Sequence, residues 1–218
     1  MARKKKMKDQ IQVLTLFVFG ISIIAYGFPQ FSDLLVYDRQ AILNGELWRM
    51  LTAPFVHFSA SHFFWDILVF VSAGFAIETE RYRGFWLVCI FSAVIPSLIF
   101  LLAFPELERY GGLSGLATGA IVYFCLCKLL LTRKHRIIWL VILVTIATKI
   151  VVETAIGAPI FVQTGRLPFR MLPSAHIFGY LGALATIIWT WPNMHLDADR
   201  LKNAPNGLLD WSRPKTNA

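Results

Sequence analysis

Six stretches of this chain, at roughly 11–28, 59–78, 84–104, 112–132, 137–156 and 173–192, run apolar for 17 or more residues with few interruptions. A helix rises about 1.5 Å per residue, so each stretch is long enough to cross a hydrocarbon core about 30 Å thick. Inside a bilayer every backbone N–H and C=O must find its partner within the protein, and an open sheet would leave an edge unpaired. The stretches therefore predict helices, and the chain reads as an all-α polytopic membrane protein of six transmembrane helices. The composition agrees: 56% of the 218 residues are apolar, against about 45–50% in an ordinary globular domain.

Basic residues orient the helices. With the N-terminus inside, the cytoplasmic segments hold five Lys or Arg within 1–10, then Arg81 and Arg83, then Arg133, Lys134 and Arg136, and finally Arg200, Lys202, Arg213 and Lys215, which makes fourteen. The opposite side holds five, Arg39, Arg49, Arg109, Arg166 and Arg170, while Lys128 and Lys149 fall within spans. This imbalance predicts both termini in the cytoplasm. The chain divides into a basic N-terminus (1–10), a six-helix membrane domain (11–193) and a cytoplasmic tail (194–218), whose "DADRLKNAPNGLLDWSRPKTNA" is polar and broken by Pro and Gly. The opening "MARKKKMKDQ" resembles the start of a secretory signal, but no small-residue cleavage pattern follows, so a retained anchor is expected.

The formal charge of +8 belongs to this topology and to contact with anionic lipid. Its basic residues lie in short flanks without interleaved aromatics, which argues against nucleic-acid binding. Cys89, Cys125 and Cys127 all fall inside predicted spans, where neither a disulfide framework nor a zinc site is expected.

Polar residues within the spans ask for a reason, because an ionisable group at the bilayer centre costs about 2.5–3.5 kcal/mol or more. Spans two, four and six start at the outer face, and each carries polar side chains near its start: His62 and Asp66, then Ser114, then His176. Span five runs outward and brings Lys149 and Glu153 into the same outer half. Six polar side chains from four helices thus share one level. A serine, histidines and carboxylates converging in a partly dry cavity are the ingredients of nucleophilic catalysis, in which an imidazole takes the serine proton.

Packing offers a competing explanation for part of this pattern. Gly115 and Gly119 form a G-x-x-x-G, and glycines flank Ser114 in "GGLSG", a pattern that lets helix backbones approach. His176 could be a satisfied interior histidine, and Lys149 and Glu153, at i and i+4, a local ion pair. The soluble hydrolase elbow G-x-S-x-G does not fit, since Leu116 occupies its second glycine position and no strand precedes it.

The chain resembles the rhomboid family of intramembrane serine proteases. The likeness rests on "GLSG" (Gly112 to Gly115), "AHIFGYLGA" around His176, "HFSASHFFWD" entering span two and "WRMLTAPFVHFS" in the first outer loop, and it extends over about residues 11–193. It implies a dyad in which Ser114 attacks the scissile carbonyl and His176 is general base, then general acid. The Ser114 N–H and the His62 side chain would stabilise the oxyanion, with Asp66, Gly112 and Leu113 in support. Trp48 and Arg49 would belong to an outer loop lying partly in the membrane, an interfacial anchor being the alternative for both. Glu78 would match a buried glutamate at the inner end of span two, and Gly179 would let span six press against span four. Lys149, Glu153, Glu78 and Thr118 are candidates for the layer behind the dyad.

Departures accompany the likeness. Relatives commonly carry an asparagine where Asp66 stands, and an ionised carboxylate cannot donate to an oxyanion. Asp66 must then be protonated, turned away, or accepting from His62. Thr118 replaces an aromatic commonly found one turn after the serine, and Ala183 replaces the second glycine of the histidine motif. Asp66, Glu78, Lys149 and Glu153 together resemble the rhombosortase branch, which cuts C-terminal Gly-Gly sorting tails. The resemblance implies a single-pass or tail-anchored membrane protein as substrate, no metal or organic cofactor, and a multi-pass location in a bacterial inner (cytoplasmic) membrane. Two rival expectations remain: a non-proteolytic relative that binds transmembrane segments, and a small proton- or ion-coupled transporter using Lys149, Glu153 and Asp66.

Overall fold

The computed structural model describes residues 12–132, 135–157 and 174–203, with backbone alone from 192 onward. The basic N-terminus, Arg166 and Arg170, and most of the expected tail lie outside the described residues. In chain order the elements are α1 (Val13–Gly27), α2 (Pro29–Leu35), β1 (Tyr37–Asp38), α3 (Arg39–Leu43), α4 (Arg49–Thr52), a 3-10 turn (Ala53–Phe55), α5 (Ala60–Thr79), α6 (Phe85–Ala103), β2 (Arg109–Tyr110), α7 (Ser114–Leu131), α8 (Arg136–Ile156) and α9 (Ser174–Asn203). The chain is an integral, multi-pass helical membrane protein: α5, α6, α7 and α8 are each long and apolar enough to cross a bilayer.

The first expected span, 11–28, corresponds to α1, and a bend follows at once. Helix α1 stops at Gly27, and α2 leaves it at a bend of 117°. The cause is Pro29: the residue before a proline is pushed out of helical geometry, and Phe28 is extended at φ −130°, ψ 101°. At the other end of the chain, α9 continues past the expected limit at 192 to Asn203. Residues 194–203 of the expected tail are thus the end of this helix.

The segment between α1 and α5, expected only as an outer loop, is built. Asp38 caps α3 by accepting from the Ala41 N–H at 3.0 Å. Tyr37 and Asp38 pair antiparallel with Tyr110 and Arg109, tying this segment to the connection between α6 and α7. The Arg39 guanidinium donates to the Leu101 carbonyl at 2.8 Å, satisfying a carbonyl at the end of α6. A small core of Tyr37, Ile42, Ala53, Phe100, Tyr110 and Ala175 fills the space beneath.

Helix α7 is the centre of the bundle and packs against α5, α6, α8 and α9. Its contact with α9 is backbone on backbone. A Cβ at Gly179 would run into the Gly115 carbonyl oxygen, and one at Gly119 would stand 3.1 Å from the Gly179 carbonyl oxygen. Small residues therefore bring these two helices together, as the G-x-x-x-G reading and the expectation for Gly179 required. By contrast α8 lies at the periphery, with Val141, Val144, Val151 and Ile156 exposed as a lipid-facing surface.

Candidate active site

Ser114 is the first residue of α7, half-buried, and its amide has no helical acceptor one turn back. The turn that delivers it needs Gly112, whose φ of +133° lies in the region that favours glycine. A Cβ there would also collide with the His62 ring, nearest its Cε1. Leu113 follows, fully buried, and its carbonyl starts the helix by accepting from the Ala117 N–H at 2.8 Å.

Close approach of α7 and α9 sets the next contact. A Cβ at Gly115 would lie 3.2 Å from the Ala175 carbonyl oxygen. The residues beside Ser114 and His176 are thus in backbone contact, and the first turns of α7 and α9 face each other. His176 turns its Nδ1 toward α8, 3.0 Å from the Glu153 Oε2, which leaves Nε2 as the opposite edge of the ring. The same Glu153 oxygen accepts from the Lys149 ammonium at 2.7 Å. Of the six polar residues expected at one level, Lys149, Glu153 and His176 form one contact group and His62 and Asp66 another, with Ser114 between Gly112, under the His62 ring, and Gly115, against α9.

His62 is placed by the start of α5, where the Ser59 hydroxyl caps the helix by accepting from the His62 N–H at 3.2 Å. One turn on, Asp66 Oδ2 lies 3.0 Å from His62 Nε2, an ion-pair approach without the alignment of a hydrogen bond, so the carboxylate is turned toward His62. Asp66 also meets a residue the sequence reading passed over: His57 Nε2 is 3.3 Å from the same oxygen. His57 Nε2 accepts from the Leu113 N–H at 3.3 Å, and its Nδ1 lies 3.2 Å from the Phe55 carbonyl oxygen. The ring therefore ties the segment before α5 to the turn before Ser114. His57 precedes the helix, so helical spacing could not group it with His62; the only signal was its presence in "HFSASH". Burial raises the Tyr110 phenol well above its ordinary value, and the nearby Asp66 carboxylate adds to the shift.

The remaining expected residues fall elsewhere. Thr118 is half-buried one turn below Ser114 in α7. Glu78 sits at the far end of α5, where its carboxylate accepts from the Leu14 and Thr15 amides at 3.0 Å each and from the Thr15 hydroxyl. It caps the start of α1, a carboxylate at a helix N-terminus. Trp48 is exposed, as an interfacial anchor would be, and its indole donates to the Leu34 carbonyl. Arg49 is instead buried and donates to the Glu46 carboxylate at 2.7 Å and to the Asp33 and Val36 carbonyls at 2.7 and 3.0 Å. It clamps α4 to the segment around β1. Among the described residues, no group of three or more His, Cys, Asp or Glu side chains is gathered as a metal ion would require.

No curated protein matches this chain closely enough to serve as a relative. The family model of the Rhomboid domain, however, matches residues 44–193, from the loop before α4 through the sixth expected span. That is most of the chain and every element that carries the site, so the chain belongs to the rhomboid family, a family of intramembrane serine proteases.

Proposed function

We propose that this chain is a serine endopeptidase in which Ser114 and His176 cleave a membrane-anchored protein near the outer membrane face. The observation that carries the reading is the backbone contact of α7 with α9 at Gly115, Ala175 and Gly179, which turns the first turns bearing Ser114 and His176 toward each other. In this reading the six apolar runs are six crossings, the basic-residue imbalance puts both termini in the cytoplasm and that end of the bundle outside, and the family resemblance suggests a bacterial inner membrane.

The chemistry follows from the placement. Ser114 Oγ adds to the scissile carbonyl carbon while its proton passes to His176 Nε2. The oxyanion forms beside the Ser114 N–H, at the positive end of α7, and near the His62 ring; loss of one such donor typically costs ~10²–10³ in rate. His176 returns the proton to the departing amine, which leaves an ester on Ser114. Water, deprotonated by His176, then hydrolyses that ester. A substrate helix has to unwind to present its peptide bond, and freed backbone groups need water within a turn or two of the surface.

Asp66 and the Lys149–Glu153 pair favour the rhombosortase type of substrate, a C-terminal tail with Gly-Gly, an apolar helix and basic residues. The test is Ser114→Ala beside His176→Ala, each checked for folded membrane insertion and assayed against co-expressed substrates. One substrate carries a Gly-Gly tail and another an ordinary N-terminal anchor. Both variants lose cleavage by at least about 10³-fold, and the Gly-Gly tail is preferred by the unaltered protein. Cleavage surviving in both variants overturns the dyad; preference for the N-terminal anchor overturns the rhombosortase specificity. A binder of membrane segments or an ion-coupled transporter would show no cleavage that depends on Ser114.

A further inference from the structure

Glu153 is 1% exposed on a helix that otherwise turns apolar side chains outward, to lipid. A buried carboxylate is retained only when partners offset its desolvation. Lys149 is one partner, yet the pair does not stay at the periphery: the lysine side chain is 31% exposed and the carboxylate points inward, to His176 Nδ1 at 3.0 Å. The helices packed against α9 are α6, α7 and α8. Helix α6 carries no charged residue, and the only charge on α7 is Lys128, near its far end and paired with Glu80 at 2.6 Å. On α8 the charges are Arg136 at the far end and Lys149 and Glu153 at the His176 end. Among the described residues, Glu153 and Lys149 are thus the only charges that these helices present to His176. From α5, His62 and Asp66 lie at the same level, paired with each other.

We propose that Glu153 is a positioning residue for His176. Its carboxylate holds the proton on Nδ1, leaves the Nε2 lone pair for the Ser114 hydroxyl and offsets the imidazolium that forms when Ser114 gives up its proton. Lys149 competes with the ring for the same carboxylate oxygen and so moderates its pull on the ring. The inference rests on the Ser114 and His176 reading above and extends that pair to a third member from a third helix. In the resting structure the carboxylate oxygen lies off the Nδ1–H axis, so the contact is an ion-pair approach rather than an aligned hydrogen bond. Such contacts often tighten only when substrate is bound.

The sign of each charge makes the proposal testable. Glu153 favours the imidazolium and Lys149 opposes it, so removing them moves the histidine limb of the kcat/KM profile in opposite directions. Glu153→Gln and Lys149→Met are compared with the unaltered protein on one cleavable substrate across pH, with thermal unfolding in detergent measured alongside. Glu153→Gln lowers kcat at least about tenfold with little change in KM, and moves the acidic limb to lower pH. Lys149→Met moves that limb to higher pH. If Glu153→Gln does not accumulate as folded protein, the Lys149→Met profile decides alone. An unmoved limb in the folded variants, with kcat for Glu153→Gln within twofold of the unaltered protein, overturns the role of Glu153 while the dyad stands. Cleavage that survives Ser114→Ala and His176→Ala overturns the dyad itself.

Discussion

Asp66 stands one helical turn after His62, where an amide could donate to an oxyanion and an ionised carboxylate cannot. Its oxygen lies 3.0 Å from His62 Nε2 and 3.3 Å from His57 Nε2, so the carboxylate faces the two rings. We predict that Asp66→Asn lowers kcat by ~10-fold or more, because the His62 ring loses the carboxylate that faces its Nε2 and orients it. Steady-state cleavage at pH 7, with folding checked by thermal unfolding, decides this. Unchanged or raised activity would mean that Asp66 only occupies the place of an amide. At this scale the sequence was readable where helical depth applied, as for Ser114, His176, Lys149 and Glu153. It failed at His57, which reaches Leu113 from an irregular segment with no period to betray it.

At the scale of elements, the α7 to α9 contact is the joint on which the site depends. Gly179 faces the Gly115 carbonyl with no space for a methyl group. Gly179→Ala therefore forces the helices apart or strains the backbone, at a cost of ~1–3 kcal/mol by the usual range for overpacking. The expected result is a lower unfolding midpoint together with a loss of cleavage larger than the loss of folded protein, since Ser114 and His176 separate. Equal midpoints and rates for the variant and the unaltered protein would show that the contact is looser than it is drawn. This joint was legible from glycine spacing alone. The break after α1 was also written in the sequence, at Phe28 before Pro29, where the first apolar run ends. The pairing of β1 with β2 joins two residues on each side, too few to leave an alternating pattern.

For the whole molecule, apolar run length and the positions of a few polar residues carried most of the architecture. Four of the expected spans are helices able to cross a bilayer, and the polar level recurs as two contact groups that flank Ser114. What the sequence could not convey was which residues of that level touch, because depth places a side chain along a helix axis and says nothing of its rotation. Glu78 shows the same limit from the other side: an acid within a span reads as chemistry, and here, half-buried, it caps α1 at the far end. Every step proposed for the site depends on Ser114 being the nucleophile. The direct measurement is treatment of the membrane-embedded protein with a fluorophosphonate, followed by peptide mass spectrometry to find the modified residue. The expected result is a single adduct on Ser114, absent in Ser114→Ala and formed far more slowly in His176→Ala. An adduct on another residue, or equal labelling in Ser114→Ala, would contradict it.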